Sequence, residues 1–358
     1  MSDRLARLLE TRPWLLADGA TGTNYFAMGL ETGDAPELWN VDHPERVLEL
    51  HRRFLEAGSD IILTNTFGGS RYRLKLHEAQ DRVAELNSAA ARLARQAGEE
   101  SGREVVVAGS MGPTGEILEP IGPLPQADAE AAFAEQAAAL AEGGADVLWI
   151  ETISSVEELE AAVKGAGTTG LPLVVTMSFD THGRTMMGVT SAQVADLVHG
   201  LSPRPAAYGG NCGIGPAELM AALINLGAAR KPGDILIAKS NCGVPDYVEG
   251  EIVYSGTPTL MADYARLALD AGVRIIGGCC GTTPEHIRAM RDALESHEPA
   301  APPTLDEVVA RLGPISEGAE KLTALGYLDL GAEETEGGGR RRRGRRRGAA
   351  EGGKTPRF

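Results

Sequence analysis

The stretch Asp146-Val147-Leu148-Trp149-Ile150-Glu151-Thr152 carries four large apolar residues in a row and then turns polar. A run that short, without polar residues at alternate positions, reads as a strand covered on both faces. Seven further runs have the same character, at 14–18, 60–67, 104–110, 172–179, 206–212, 234–240 and 273–278. Helical periodicity fills the intervals, at 43–57, 77–100, 128–142, 156–165, 191–199, 216–226, 258–271 and 284–295. Such alternation requires parallel strands joined by crossover helices. Eight units predict an α/β protein with a closed (β/α)8 TIM-type barrel. No G-x-G-x-x-G follows the first strand, which argues against an open dinucleotide-binding sheet.

Outward from the barrel, residues 1–298 form the expected catalytic domain, with PAAPP at 299–303 marking its end. Segments 304–312 and 317–325 then read as short helices of a linker and extension over 299–330. From 331 to 358 the chain is Glu, Gly, Arg and Ala with almost no large apolar residue, and it includes RRRRGRRR at 340–347; disorder is expected.

The formal charge of −16 divides unevenly. Nine Lys/Arg and four Glu fall in 331–358, so the tail is +5 and the remainder −21. An acidic body of this kind is a poor nucleic-acid binder and tolerates cationic ligands. Apolar runs of four to eight residues are too short to cross a membrane, and the first twelve residues are too charged for a secretory signal. A cytoplasmic protein is expected. A homo-oligomer stays open. Four cysteines, two of them adjacent, point to metal or redox chemistry rather than a disulfide framework.

Barrel active sites form at the C-terminal ends of the strands. Here those ends are polar: DGATGT at 18–23, TNTF at 64–67, GSMGP at 109–113, Glu151-Thr152, GGNCG at 209–213, SNC at 240–242 and GGCCG at 277–281. Cys212, Cys279 and Cys280 come from the sixth and eighth strands, and a barrel brings those ends to one mouth. Zinc favours tetrahedral sulfur and nitrogen ligands, and three protein ligands leave a fourth position for substrate. Cys242 ends the seventh strand and reads as a small packed residue.

The motifs DGATGT, TNTF, GGNC and GGCCG resemble those of the homocysteine S-methyltransferase family, over about residues 10–295. That family includes betaine–homocysteine methyltransferase and the homocysteine module of cobalamin-dependent methionine synthase. The resemblance implies Zn²⁺ on Cys212, Cys279 and Cys280, with Asp18 and Glu151 gripping the amino end of homocysteine. It implies a seat for the substrate carboxylate on backbone amides around Ser110, Met111 and Gly112, and places Asn211 among the substrate contacts. The expected activity is methionine formation, a zinc-bound homocysteine thiolate attacking the methyl of betaine or a similar onium donor.

An onium donor calls for aromatic faces. Tyr25, Trp39 and Phe67 lie on the first two strand-end loops, as does Tyr72, and could form a cage. The betaine enzymes carry a tyrosine directly after the TF of the second strand, whereas this chain has Gly68. TNTF itself looks more like the methionine synthase module. A second reading therefore makes the chain the homocysteine-activating component of a split cobalamin-dependent methionine synthase, taking methyl from a separate corrinoid protein. A reading of another class is a non-catalytic zinc barrel acting through its Arg-rich tail. The segment Asp180-Thr181-His182-Gly183-Arg184-Thr185 partly matches D-x-H-x-x-G, the corrinoid histidine loop, but lacks the final glycine and reads as the loop after the fifth strand.

Overall fold

The structure is a computed structural model that describes residues 4–180, 182–248 and 251–329; the Arg-rich tail lies outside the described residues. Eight parallel strands form one sheet: β1 (Leu15–Leu16), β2 (Ile61–Leu63), β3 (Val106–Met111), β4 (Val147–Ile153), β5 (Leu173–Met177), β6 (Ala207–Cys212), β7 (Leu236–Ser240) and β10 (Val273–Gly278). Their order is β1-β10-β7-β6-β5-β4-β3-β2. A parallel bridge between Ala17 and Ile61 joins the two ends, with Asp60 N donating to Leu16 O at 2.7 Å and Asp18 N to Ile61 O at 3.0 Å. The ring is that of a (β/α)8 barrel, as expected from the alternation of runs.

Residue alternation divides the core into two. Leu15, Ile61, Val106, Val147, Trp149 and Ile275 belong to an inner cluster, whereas Leu16, Ile62, Val107, Leu148, Ile150 and Ile276 pack outward among the helices. Both sets are buried, which is why the strands read as continuous apolar runs. The helix Arg4–Thr11 puts Leu5, Leu8 and Leu9 into the inner cluster. It plugs the end opposite the strand C-termini, and the expected pattern had no element there.

The crossover helices lie within a few residues of their expected spans, except that the stretch from 77 opens with a 3-10 turn and its helix runs Val83–Glu100. Several begin at proline or behind a capping hydroxyl: Pro216, Pro258 and Pro284 are first residues, and Thr190 forms a capping box with Gln193. A hairpin of β8 (Pro245–Val248) and β9 (Glu251–Tyr254) follows β7 and was not anticipated. The helices Leu305–Leu312 and Glu317–Asp329 pack on the outside of the barrel. Arg311 pairs with Asp263 at 2.6 Å, and Ser316 N donates to Glu218 at 2.5 Å. The last helix also seats the β5 loop, since a Cβ on Gly318 would collide with the His182 side chain. No helix among the described residues is long and apolar enough to cross a membrane.

Candidate active site

Strand register brings the cysteines together. Cys212 of β6 and Gly278 of β10 both pair with Ser240 of the intervening β7, so the two cysteine-bearing ends reach the same level. Gly209 makes the β6–β7 approach feasible, since a Cβ there would lie 1.9 Å from Ile237 O. Beyond β7, Asn241 ties the two loops together: its Oδ1 accepts from Cys280 N at 3.1 Å and its Nδ2 donates to Gly213 O at 2.6 Å.

The Sγ atoms of Cys212, Cys279 and Cys280 all lie within 4.8 Å of one another, and Cys212 and Cys280 are 3.9 Å apart. Tetrahedral sulfur ligands at the usual Zn–S length of about 2.3 Å sit about 3.8 Å apart. The three thiols are free and half-buried. Cys280 is the acidic member: hydrogen bonds from Cys212 and then Cys279 pull it down to about 3, against its burial. Bonds to Cys279 and Cys280, with burial, push Cys212 upward. A divalent cation bound here would displace the remaining thiol protons. Cys242 is outside the group; its thiol is buried in the core and pushed up to about 12 by that burial.

Glu151 lines the cavity, whereas Asp18 does not and meets it only through Lys239; both carboxylates are buried. Glu151 Oε1 accepts from Ser110 Oγ at 2.5 Å. Burial raises its carboxyl to about 7, with Cys279 and Asp18 adding to the effect and Lys239 opposing it. Asp18 Oδ2 accepts from Leu63 N at 2.8 Å, and its Oδ1 pairs with Lys239 Nζ at 2.9 Å, both side chains being 2% exposed. Lys239 was not anticipated. Its signal was a single cation inside the apolar run ILIAKS at 235–240, at the strand's site end.

Other expected contacts are placed differently. Ser110 lines the cavity, but its N–H donates to Thr64 Oγ1 at 3.0 Å; Gly112 N donates to Phe67 O at 3.0 Å, and Met111 is fully buried. The amides of Ser110 and Gly112 are therefore engaged and offer no seat for a carboxylate. Asn211 is fully buried and braces the site instead. Its Oδ1 accepts from Thr152 N at 2.9 Å and its Nδ2 donates to Thr152 Oγ1 at 2.7 Å. That brace holds two strained neighbours, Thr152 at φ 63 and Cys212 at φ 61, in the left-handed region that non-glycine residues avoid.

Tyr25 and Trp39 are buried against each other, ring centroids 5.3 Å apart, and do not line the cavity. Phe67 does, 38% exposed, and Phe26 joins it at 49%. The expected cage thus reduces to Phe67, with Phe26 in place of the two buried rings. The Phe67–Gly68 turn is fixed by Gly68 N donating to Glu37 Oε1 at 2.6 Å. The cavity holds about 500 Å³, running from the cysteines and Lys239 to Phe26, Phe67 and Arg73.

A family model described as homocysteine S-methyltransferase matches residues 15–294. The methionine synthase of Mycobacterium tuberculosis is 31% identical over 297 residues, covering 78% of this chain and 24% of that protein. The methionine synthase of Mycobacterium leprae is 31% identical over 306 residues, 80% of this chain and 25% of that protein. The chain thus spans about a quarter of the length of these curated relatives. Among solved structures, the metallated form of the homocysteine methyltransferase MmuM from Escherichia coli superposes with a TM-score of 0.66 at 28% identity, covering 81% of this chain and 99% of that one. Its oxidized form gives 0.65.

Proposed function

The chain belongs to the homocysteine S-methyltransferase family, and on that premise we propose that it makes methionine by moving a methyl group from a small onium donor to homocysteine, with Zn²⁺ held by Cys212, Cys279 and Cys280. The observation that carries this reading is the convergence of three sulfurs, at a spacing that fits zinc, on one wall of a cavity that also holds Glu151. A metal there would supply the substrate sulfur as thiolate at neutral pH, where a free thiol of pKa about 8.5 is mostly protonated.

The chain's own residues then hold the reactants in line, where proximity contributes most. Asn211 and Asn241 fix the cysteine loops. Glu151, once ionised, accepts an amino acid's ammonium, and Ser110 orients it. Phe26 and Phe67 offer faces to a cationic donor at the outer end of the cavity, and Arg73 offers a partner for a donor carboxylate, as betaine would need. No general base is needed, because the thiolate attacks and the donor leaves neutral. Free thiols at the site suit a reducing compartment, which supports a cytoplasmic setting.

A second reading is favoured by one observation: the two mycobacterial relatives are named methionine synthase, and the chain spans a quarter of each. On that reading a separate methylated corrinoid protein delivers the methyl group. The deciding experiment supplies zinc-loaded protein and homocysteine with betaine, S-methylmethionine or a methylated corrinoid protein, and measures methionine. Product with betaine supports the first reading; product with the corrinoid protein alone supports the second. No product from any donor while zinc is bound overturns both.

A further inference from the structure

Lys239 is the one buried cation lining the cavity among the described residues, and methyl transfer as set out above makes no use of it. An ammonium carries three N–H donors. Among the described residues Lys239 Nζ has one hydrogen-bond acceptor, Asp18 Oδ1 at 2.9 Å, and it lies 5.5 Å from the centroid of the Trp149 ring. A buried charge so thinly satisfied is costly unless a further partner arrives. Asp18 meanwhile has a donor on each oxygen, Lys239 on one and Leu63 N on the other.

The charges of the inner cavity decide what that partner is. Asp18 and Lys239 cancel, which leaves the single negative charge of Glu151 to match the ammonium of an amino acid. The same amino acid brings an α-carboxylate, and on the β3 wall the amides of Ser110 and Gly112 already donate elsewhere. Of the other basic residues on the lining, Arg73 is half-buried and His77 exposed.

We propose that the ammonium of Lys239, steered by Asp18, binds the α-carboxylate of homocysteine. Asp18 is then a positioning residue for Lys239, and Glu151 is the acceptor of the substrate ammonium. The assignment rests on homocysteine being the substrate, and it makes Lys239 the residue that selects thiols bearing a carboxylate.

Calorimetric titration of the zinc-loaded full chain tests it with three thiols: homocysteine, 4-mercaptobutanoate without the amine, and 3-aminopropane-1-thiol without the carboxylate. Lys239→Met should weaken the two carboxylate-bearing thiols about tenfold or more, the usual scale for a charge-assisted hydrogen bond, and should not weaken the aminothiol. Lys239→Arg should recover part of the loss. If Lys239→Met weakens all three thiols equally, or leaves homocysteine binding intact, the assignment is overturned. Should that variant fail to fold, Lys239→Arg decides, because it must alter the two carboxylates and not the aminothiol. A wild-type protein that holds zinc and binds none of the three overturns the homocysteine reading itself, and the assignment with it.

Discussion

Glu151 combines two roles that pull against each other. Its carboxyl sits near 7 because burial disfavours the charge. A folded-state pKa raised above the ordinary 4.5 means that stability is greatest with the proton on and is lost as pH rises through about 7. Ammonium binding needs the opposite state. Homocysteine affinity should therefore rise as pH passes upward through 7. The thiol ionises in the same direction, so 4-mercaptobutanoate, which has the thiol and no ammonium, serves as the reference. The difference between the two ligands in binding free energy should break near 7 in the wild type and be flat in Glu151→Gln; identical breaks in both proteins would remove Glu151 from the ammonium site. At this scale the sequence points to the cysteines by residue type and strand-end position, and to Asp18 and Glu151 through the family resemblance. It hides Lys239 and the role of Asn211, because a lysine inside ILIAKS looks like part of a strand, and only register and side-chain partners assign it to the cavity.

Among the elements, the strands and crossover helices are legible as alternating runs because every strand is covered on both faces. The helix Arg4–Thr11 is not, since eight residues with three buried leucines make too short a pattern to separate from a charged leader. Its C-terminal neighbour Arg12 belongs to a clamp at the closed end of the barrel. Asp60, at 1% side-chain exposure, takes Arg12 at 2.6 Å, Arg103 at 3.2 Å and Arg291 at 3.1 Å, and accepts from Leu16 N at 3.0 Å. Those contacts tie the N-terminal helix, the lead-in to β3 and the helix Pro284–Glu295 to the seam where β1 meets β2. The arginines are only partly exposed, so removing the carboxylate strands several cations. Asp60→Ala should cost about 2–4 kcal/mol, read as a lower urea midpoint at unchanged m-value. Its zinc and homocysteine affinities should match the wild type in the folded protein. A loss of stability below about 0.5 kcal/mol would mean that the seam is held by backbone pairing alone.

Across the whole molecule, stability and chemistry lie at opposite ends of one barrel. The inner cluster and the Asp60 clamp close the lower end, leaving the strand C-termini to carry strained backbone at Thr152 and Cys212. The C-terminal helices and the β5 loop brace each other on the outer flank, which gives the segment around His182 a structural seat. Donor choice is the property least legible in sequence, because it depends on which aromatic rings turn inward. Tyr25 and Trp39 turn into the core, and Phe26 and Phe67 face the cavity. The most direct measurement is X-ray absorption at the zinc edge, before and after homocysteine. Three sulfurs at about 2.3 Å becoming four is the predicted result. Fewer than three sulfurs in the free protein, or a shell that homocysteine leaves unchanged, would contradict it.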